Sequence, residues 1–112
     1  MFGSVYRMKL KPGQESALLS YSERWIRERQ PMVKGAVALH VLRKVDDPRQ
    51  FMGVAIFDSR ESYFANANDP EQDRWYRELV ELLEEPPVFE DGEVVFSWIS
   101  DQAAKDAVPH GL

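Results

Sequence analysis

Residues 36–57 read Ala-Val-Ala-Leu-His-Val-Leu-Arg-Lys-Val-Asp-Asp-Pro-Arg-Gln-Phe-Met-Gly-Val-Ala-Ile-Phe, and this stretch decides the fold. Two runs of strand-forming residues, Ala36–Val45 and Phe51–Phe57, flank Asp46-Asp47-Pro48-Arg49-Gln50. Short polar side chains and a proline with fixed φ favour a turn there, so the two runs are expected to form an antiparallel hairpin. Both runs are apolar at odd and even positions alike. A hairpin that faces water on one side alternates apolar with polar, so neither face of this one is made for water.

Working outward, Gly35 opens the first strand of the hairpin and Pro31 closes a helix before it. That helix is expected from Gln14 to Gln30, because Leu18, Tyr21, Trp25 and Ile26 fall on one stripe with Glu and Arg opposite. Phe2–Leu10 precedes it as a strand and ends at Pro12-Gly13. On the other side, Asp58 is the expected cap of a second helix, with Glu61 three residues on. This helix carries Tyr63 and Phe64 and pauses at Asn66-Ala67-Asn68; Asp69 restarts it, with Pro70 at the first helical position. Trp75, Tyr76, Leu79, Val80, Leu82 and Leu83 give it an apolar face to about Glu85, and Pro86-Pro87 stops it. Val88-Phe89 then approaches the last strand, Glu90-Asp91-Gly92-Glu93 reads as a turn or bulge, and Val94–Ile99 as the strand itself. Residues 1–100 thus make one domain, and 101–112 a loosely held C-terminal tail.

The order is βαββαβ, a ferredoxin-like α+β unit: a four-stranded antiparallel sheet with two helices on one face. The helices leave the other sheet face bare, and a wholly apolar face left wet invites association. A second copy covers it most simply, so the expected partner is a homodimer through sheet faces. Alternation alone leaves open whether Leu39 and Val41, or His40 and Leu42, face away from the helices.

Composition narrows the function classes. With 44% hydrophobic and 29% charged residues and a net charge of −5, the chain lacks the basic stripe that nucleic acid requires, and it is a poor match for anionic membranes. No segment approaches the ~20 apolar residues of a membrane span. No basic segment followed by an apolar core stands at the N-terminus and there are no cysteines, so the cytosol is the expected compartment. The six glycines are never closer than ten residues, which excludes G-x-G-x-x-G, a P-loop and G-x-S-x-G. His110 stands in the tail far from His40, so no histidine pair has metal-ligand spacing, and no metal site is expected.

Several segments together resemble the dimeric α+β barrel proteins, specifically the antibiotic-biosynthesis monooxygenase-like domains. They are Met8-Lys9-Leu10-Lys11-Pro12-Gly13 entering helix one, Pro31 and Gly35 before strand two, Leu42-Arg43-Lys44-Val45-Asp46-Asp47-Pro48 before strand three, and Phe57-Asp58-Ser59-Arg60-Glu61 entering helix two. The resemblance covers roughly residues 2–99. It implies a cofactor-independent monooxygenase or related oxidoreductase acting on a small aromatic such as a quinol or phenol. A substrate of this kind is deprotonated in an apolar pocket and reacts directly with oxygen. The group also contains haem-degrading enzymes and proteins without demonstrated turnover, so a non-catalytic ligand-binding or structural homodimer is the alternative reading and haem binding a weaker one. The family's haem-degrading members use Asn, Trp and His at particular sites, and strand one here carries no Asn. No cofactor is implied. Strand three often ends in Trp in the family, where this chain has Phe57.

His40 is the candidate catalytic residue: histidine is the side chain suited to moving protons in general acid–base work, and Ala36 and Ala38 nearby leave space. An interface histidine with a hydrogen bond is the plain alternative. Tyr6, Tyr21, Trp25, Phe64 and Trp75 are candidate substrate-binding residues, with Tyr63, Tyr76 and Trp98 in the same aromatic set, because amphipathic rings receive a flat ligand, although helix aromatics are ordinarily core. Asn66, with Asn68, lies in the helix break that relatives place near the pocket mouth, though the same residues are good helix punctuation. Arg7 and Arg43 could meet an anion, and Glu84-Glu85 and Glu90-Asp91 read as solvated loop charges.

Overall fold

The computed structural model describes residues 1–101, and the expected tail from 102 onward, with His110, lies outside the described residues. Strand β1 (Phe2–Lys9) leads to helix α1 (Glu15–Arg24), which continues as a π-helical turn (Trp25–Arg29) and a 3-10 turn (Gln30–Met32). Strands β2 (Ala36–Arg43) and β3 (Gln50–Phe57) form the hairpin. Helices α2 (Arg60–Ala67) and α3 (Pro70–Glu81) follow, and β4 (Val88–Glu93) ends the sheet. The strand order is β2-β3-β1-β4, antiparallel throughout, which is the ferredoxin-like α+β arrangement.

The turn chemistry of the hairpin is as the sequence requires. Asp47 accepts the Arg49 backbone N–H at 3.1 Å and the Gln50 side-chain amide at 2.8 Å, fixing the loop from its own side chains. Gly35 sits at φ +85°, where a side chain would be strained, and its carbonyl accepts the Asp58 N–H at 2.8 Å. Asp69 caps α3 by accepting the Glu71 N–H at 2.9 Å, with Pro70 in the first turn. The cap of α2 is Ser59, whose Oγ accepts the Ser62 N–H at 3.1 Å, and not Asp58. The first helix is α-helical only to Arg24, because the π turn at Trp25–Arg29 inserts an extra residue into the ladder.

The last strand corrects the sequence reading. β4 is Val88–Glu93, and residues 94–99 are outside the sheet. Ladder length decides this. Arg7 pairs with Val88 and Phe2 with Glu93, so six residues after Pro87 already fill the edge of β1, and the Val94 N–H closes it on the Met1 carbonyl at 2.9 Å. An edge strand tolerates Glu90, Asp91 and Glu93 because half of its surroundings are water.

Register settles the faces. Phe2, Ser4, Tyr6 and Met8 of β1 pair with Phe57, Ala55, Gly53 and Phe51 of β3, and all stand under the helices. One buried cluster joins Met8, Leu10 and Phe51 to Leu18, Tyr21, Leu79 and Leu83. At the other end Phe2 and Phe57 pack beneath Tyr63, with ring centroids 5.2 Å and 5.5 Å away. Between the two clusters the sheet carries only Ser4, Tyr6, Gly53 and Ala55, and these small floor residues leave space. On β2, Leu39 and Val41 face the helices, with Ala36 placed among them by a bulge before Ala38. His40 pairs with Val54 and Leu42 with Met52, so both lie on the helix-free face. Val5 and Leu42, 40% and 46% exposed, are parts of that bare apolar surface.

Candidate functional site

A cavity of about 1130 Å³ occupies the space between the helices and the middle of the sheet. Its floor is Ser4, Ala55, Leu39 and Phe57; its walls are mostly aromatic, from Tyr6 and Phe89 on the strands to Tyr21, Trp25, Tyr63, Phe64 and Tyr76 on the helices. Phe89 stacks on Tyr6 at 5.1 Å with 28° between ring planes. Tyr6 lies flat across Gly53, where an added methyl would fall 2.0 Å from its Cζ, so glycine is the residue that lets this ring lie down.

The hydroxyls and amides of the walls are mostly committed to protein partners. Tyr21 donates to the Trp75 carbonyl at 2.9 Å, and Trp25 Nε1 donates to Gln72 Oε1 at 3.1 Å. Asn66 accepts from Arg29 Nη2 at 2.9 Å. Arg29 is 6% exposed and ion-paired with Asp69 at 3.3 Å, so it ties the π turn to the break between α2 and α3. A smaller cavity of about 350 Å³, which includes Arg29, Lys34 and Asp69, also touches Asn66.

A second polar group stands at the β1–β4 edge of the main cavity. Asp91 Oδ1 accepts two hydroxyl hydrogen bonds, from Ser4 Oγ at 2.7 Å and from Tyr63 at 2.9 Å. Ser4 itself is 3% exposed. Burial pushes Tyr6 up to about 12, with Tyr63 adding to the shift. Burial also raises Tyr21, with help from Tyr6 and Glu78 against Arg24. Tyr63 is raised as well, first by burial and also by Asp91, against the lowering effect of the neighbouring Ser4 hydroxyl. At neutral pH these phenols therefore donate and do not accept protons.

Of the residues expected to bind or act, Tyr6, Tyr21, Trp25, Phe64 and Asn66 line the main cavity. Trp75 does not: it packs edge-on against Tyr21 at 5.7 Å, with the Arg24 guanidinium 5.2 Å from its ring, and supports the wall from behind. His40 borders the cavity from edge strand β2, but its register turns its side chain to the helix-free face. Sequence reasoning has Tyr63 among the pocket aromatics but misses its partners Ser4 and Asp91, since Glu90-Asp91-Gly92-Glu93 reads as a turn and not as a strand. Alternation of Phe2, Ser4 and Tyr6 marks Ser4 as inward, and that is the one signal the sequence offers. Among the described residues, no cluster of three or more His, Asp or Glu is arranged to hold a metal, and no helix is long and apolar enough to cross a membrane.

Comparison with known proteins bears on the fold. No family model matches the chain, and no curated protein sequence does. Solved structures match closely in shape. A Nitrosomonas europaea protein provisionally named antibiotic biosynthesis monooxygenase superposes with a TM-score of 0.70 at 17% identity, over 86% of this chain and 100% of that one. A second Nitrosomonas europaea protein, of unknown function, gives 0.71 at 22% identity over 88% and 93% of the two chains. A Chloroflexus aurantiacus protein with the same provisional monooxygenase name gives 0.69 at 20% identity over 87% and 95%. The chain therefore has the fold of the antibiotic-biosynthesis monooxygenase-like domains.

Proposed function

We propose that the chain is a monooxygenase-like oxidoreductase that works as a homodimer and oxidises a small aromatic compound, quinol- or phenol-like, with dioxygen. The observation that supports this most is the cavity: it is apolar in its walls, sized for a fused-ring compound, and lined by rings that take a flat ligand face-on or edge-on. Structures of the same shape that carry the monooxygenase name lend the reaction class. For a phenol held there, the ring C–H and the O–H are lost, one oxygen atom of dioxygen enters the ring as a carbonyl, and the other leaves as water with both hydrogens. The protein contributes position, exclusion of water and control of the hydroxyl proton.

The test is oxygen uptake by metal-free protein with a panel of quinols and phenols, followed with an oxygen electrode and product analysis. Uptake above the buffer rate, with a quinone product, is the expected result. Saturable binding with no uptake for any compound would replace this reading with that of a ligand-binding dimer without turnover, which the fold also serves.

A further inference from the structure

We propose that Asp91 is the group that receives the ligand, and that the cavity takes its aromatic as a neutral hydroxyl donor and rejects anions of the same shape. The inference rests on the aromatic-cavity reading above and names the ligand's chemistry. Ser4 and Tyr63 both donate to Oδ1 of Asp91, and among the described residues Oδ2 accepts no hydrogen bond. The two donors fix the carboxylate plane from a strand on one side and from α2 on the other. Asp91 lines the cavity beside the stacked pair Tyr6 and Phe89. Phe89 pairs with Tyr6 and Asp91 with Ser4, so a ring lying along the stacked pair would have the carboxylate two residues along β4. Asp91 is exposed at the cavity edge, and among the described residues no Lys or Arg forms an ion pair with it, so the Ser4 and Tyr63 hydroxyls and solvent share its charge. Such a carboxylate attracts an O–H and repels a phenolate or a carboxylate. The Tyr63 hydroxyl hydrogen is already given to Asp91, so the charged acceptor at this edge is Asp91. When an electron leaves the bound ring for dioxygen, giving superoxide, the ring O–H bond breaks. Its proton forms a carboxyl O–H on Asp91, and a neutral phenoxyl radical remains.

Three probes of one shape test this on the full chain: β-naphthol, its methyl ether and naphthoate, titrated by calorimetry. A hydrogen bond to a charged acceptor predicts that wild type prefers the naphthol over the ether at least about ten-fold, with naphthoate weakest. Asp91→Asn is expected to reduce that preference several-fold, to leave the ether's affinity unchanged and to admit naphthoate. Tyr63→Phe keeps the carboxylate but removes one of its two donors, so the preference is expected to fall less than in Asp91→Asn; a loss as large as that of Asp91→Asn would make Tyr63 the recognising group and overturn the proposal. Para-nitrophenol gives a second readout, since bound to wild type it should remain the colourless phenol at a pH where the free probe is half ionised. A phenolate band on binding would equally overturn it. Equal binding of naphthol and ether by wild type sinks this inference alone, whereas no binding of either sinks the aromatic-cavity reading.

Discussion

Arg29 donates its Nη2 to Asn66 Oδ1 at 2.9 Å, which places a buried guanidinium directly against the break between α2 and α3. The same group pairs with Asp69, the cap that restarts the second helix, and lies within hydrogen-bond reach of Gln72 at 3.4 Å. Asp69 is held below its usual carboxylate range, first by the Glu71 N–H and then by Arg29. One cation thus fixes the end of one helix, the start of the next and the π turn from which it projects.

Arg29→Met should therefore destabilise the fold by about 2 kcal/mol, within the range for losing hydrogen bonds to a charged group. It should also weaken ligand binding, because Trp25, which shares Gln72 with Arg29, and Asn66, which accepts from Arg29, both border the cavity. Asn66→Ala removes one of these bonds and should cost about half as much. Urea denaturation of the two variants measures the difference.

The fit of Tyr6 over Gly53 makes a second prediction. Gly53→Ala inserts a methyl into the tyrosine ring, so Tyr6 must leave its place or the strands must part, at about 1–3 kcal/mol. In a Tyr6→Ala background the same change meets no ring and should be nearly neutral. A double-mutant cycle on thermal stability reads this coupling, and additive costs would mean that the ring does not lie there.

Much of this architecture is legible in the sequence, and the failures have physical causes. The hairpin, the Asp69-Pro70 restart and the segment order follow from local chemistry: a turn closed by Asp47, a cap closed by Asp69, and proline where a helix cannot continue. The last strand is misread because Val94–Ile99 has the higher strand propensity, while ladder pairing with β1 is decided by chain length after Pro87. His40 groups with the pocket residues in sequence because alternation gives two faces without saying which is covered. The bulge between Ala36 and Ala38 further separates Ala36 from the face that alternation assigns to it with His40. The Asp91 group is invisible for the same reason as β4: an acidic Gly-containing tetrapeptide reads as a turn until an edge strand claims it.

Alkaline pH should destabilise the fold through the tyrosines buried at the cavity. Tyr6 ionises near 10 in the unfolded chain but is pushed up to about 12 when folded, and Tyr21 is raised too. Below pH 10 both states keep the proton and the fold is unaffected. Between about 10 and 12 the unfolded chain loses it first, so stability falls with rising pH, by roughly 3 kcal/mol for the two-unit gap of Tyr6. Tyr6→Phe should flatten part of that fall in a series of denaturation curves from pH 9 to pH 12.

The helix-free sheet face predicts the assembly. Val5, Leu42 and the half-buried Met52, Val54 and Ile56 lie together on it, and His40 stands among them by register. Beyond β4, Val95, Phe96, Trp98 and Ile99 are 93%, 85%, 77% and 68% exposed. Apolar surface of this extent costs roughly 25 cal/mol per Å² to leave in water, so a second copy set face to face stabilises both. Native mass measurement at micromolar concentration should find two chains. Leu42→Glu places a charge on the covered surface and should give single chains, while Glu61→Lys, on the exposed side of α2, should leave the pair intact. Phe96→Ser with Trp98→Ser, in the exposed apolar residues after β4, is expected to weaken the dimer, and the shift of the dissociation midpoint with concentration reports how much. A folded wild-type chain that stays single at these concentrations would remove the dimer and, with it, the cover proposed for the sheet.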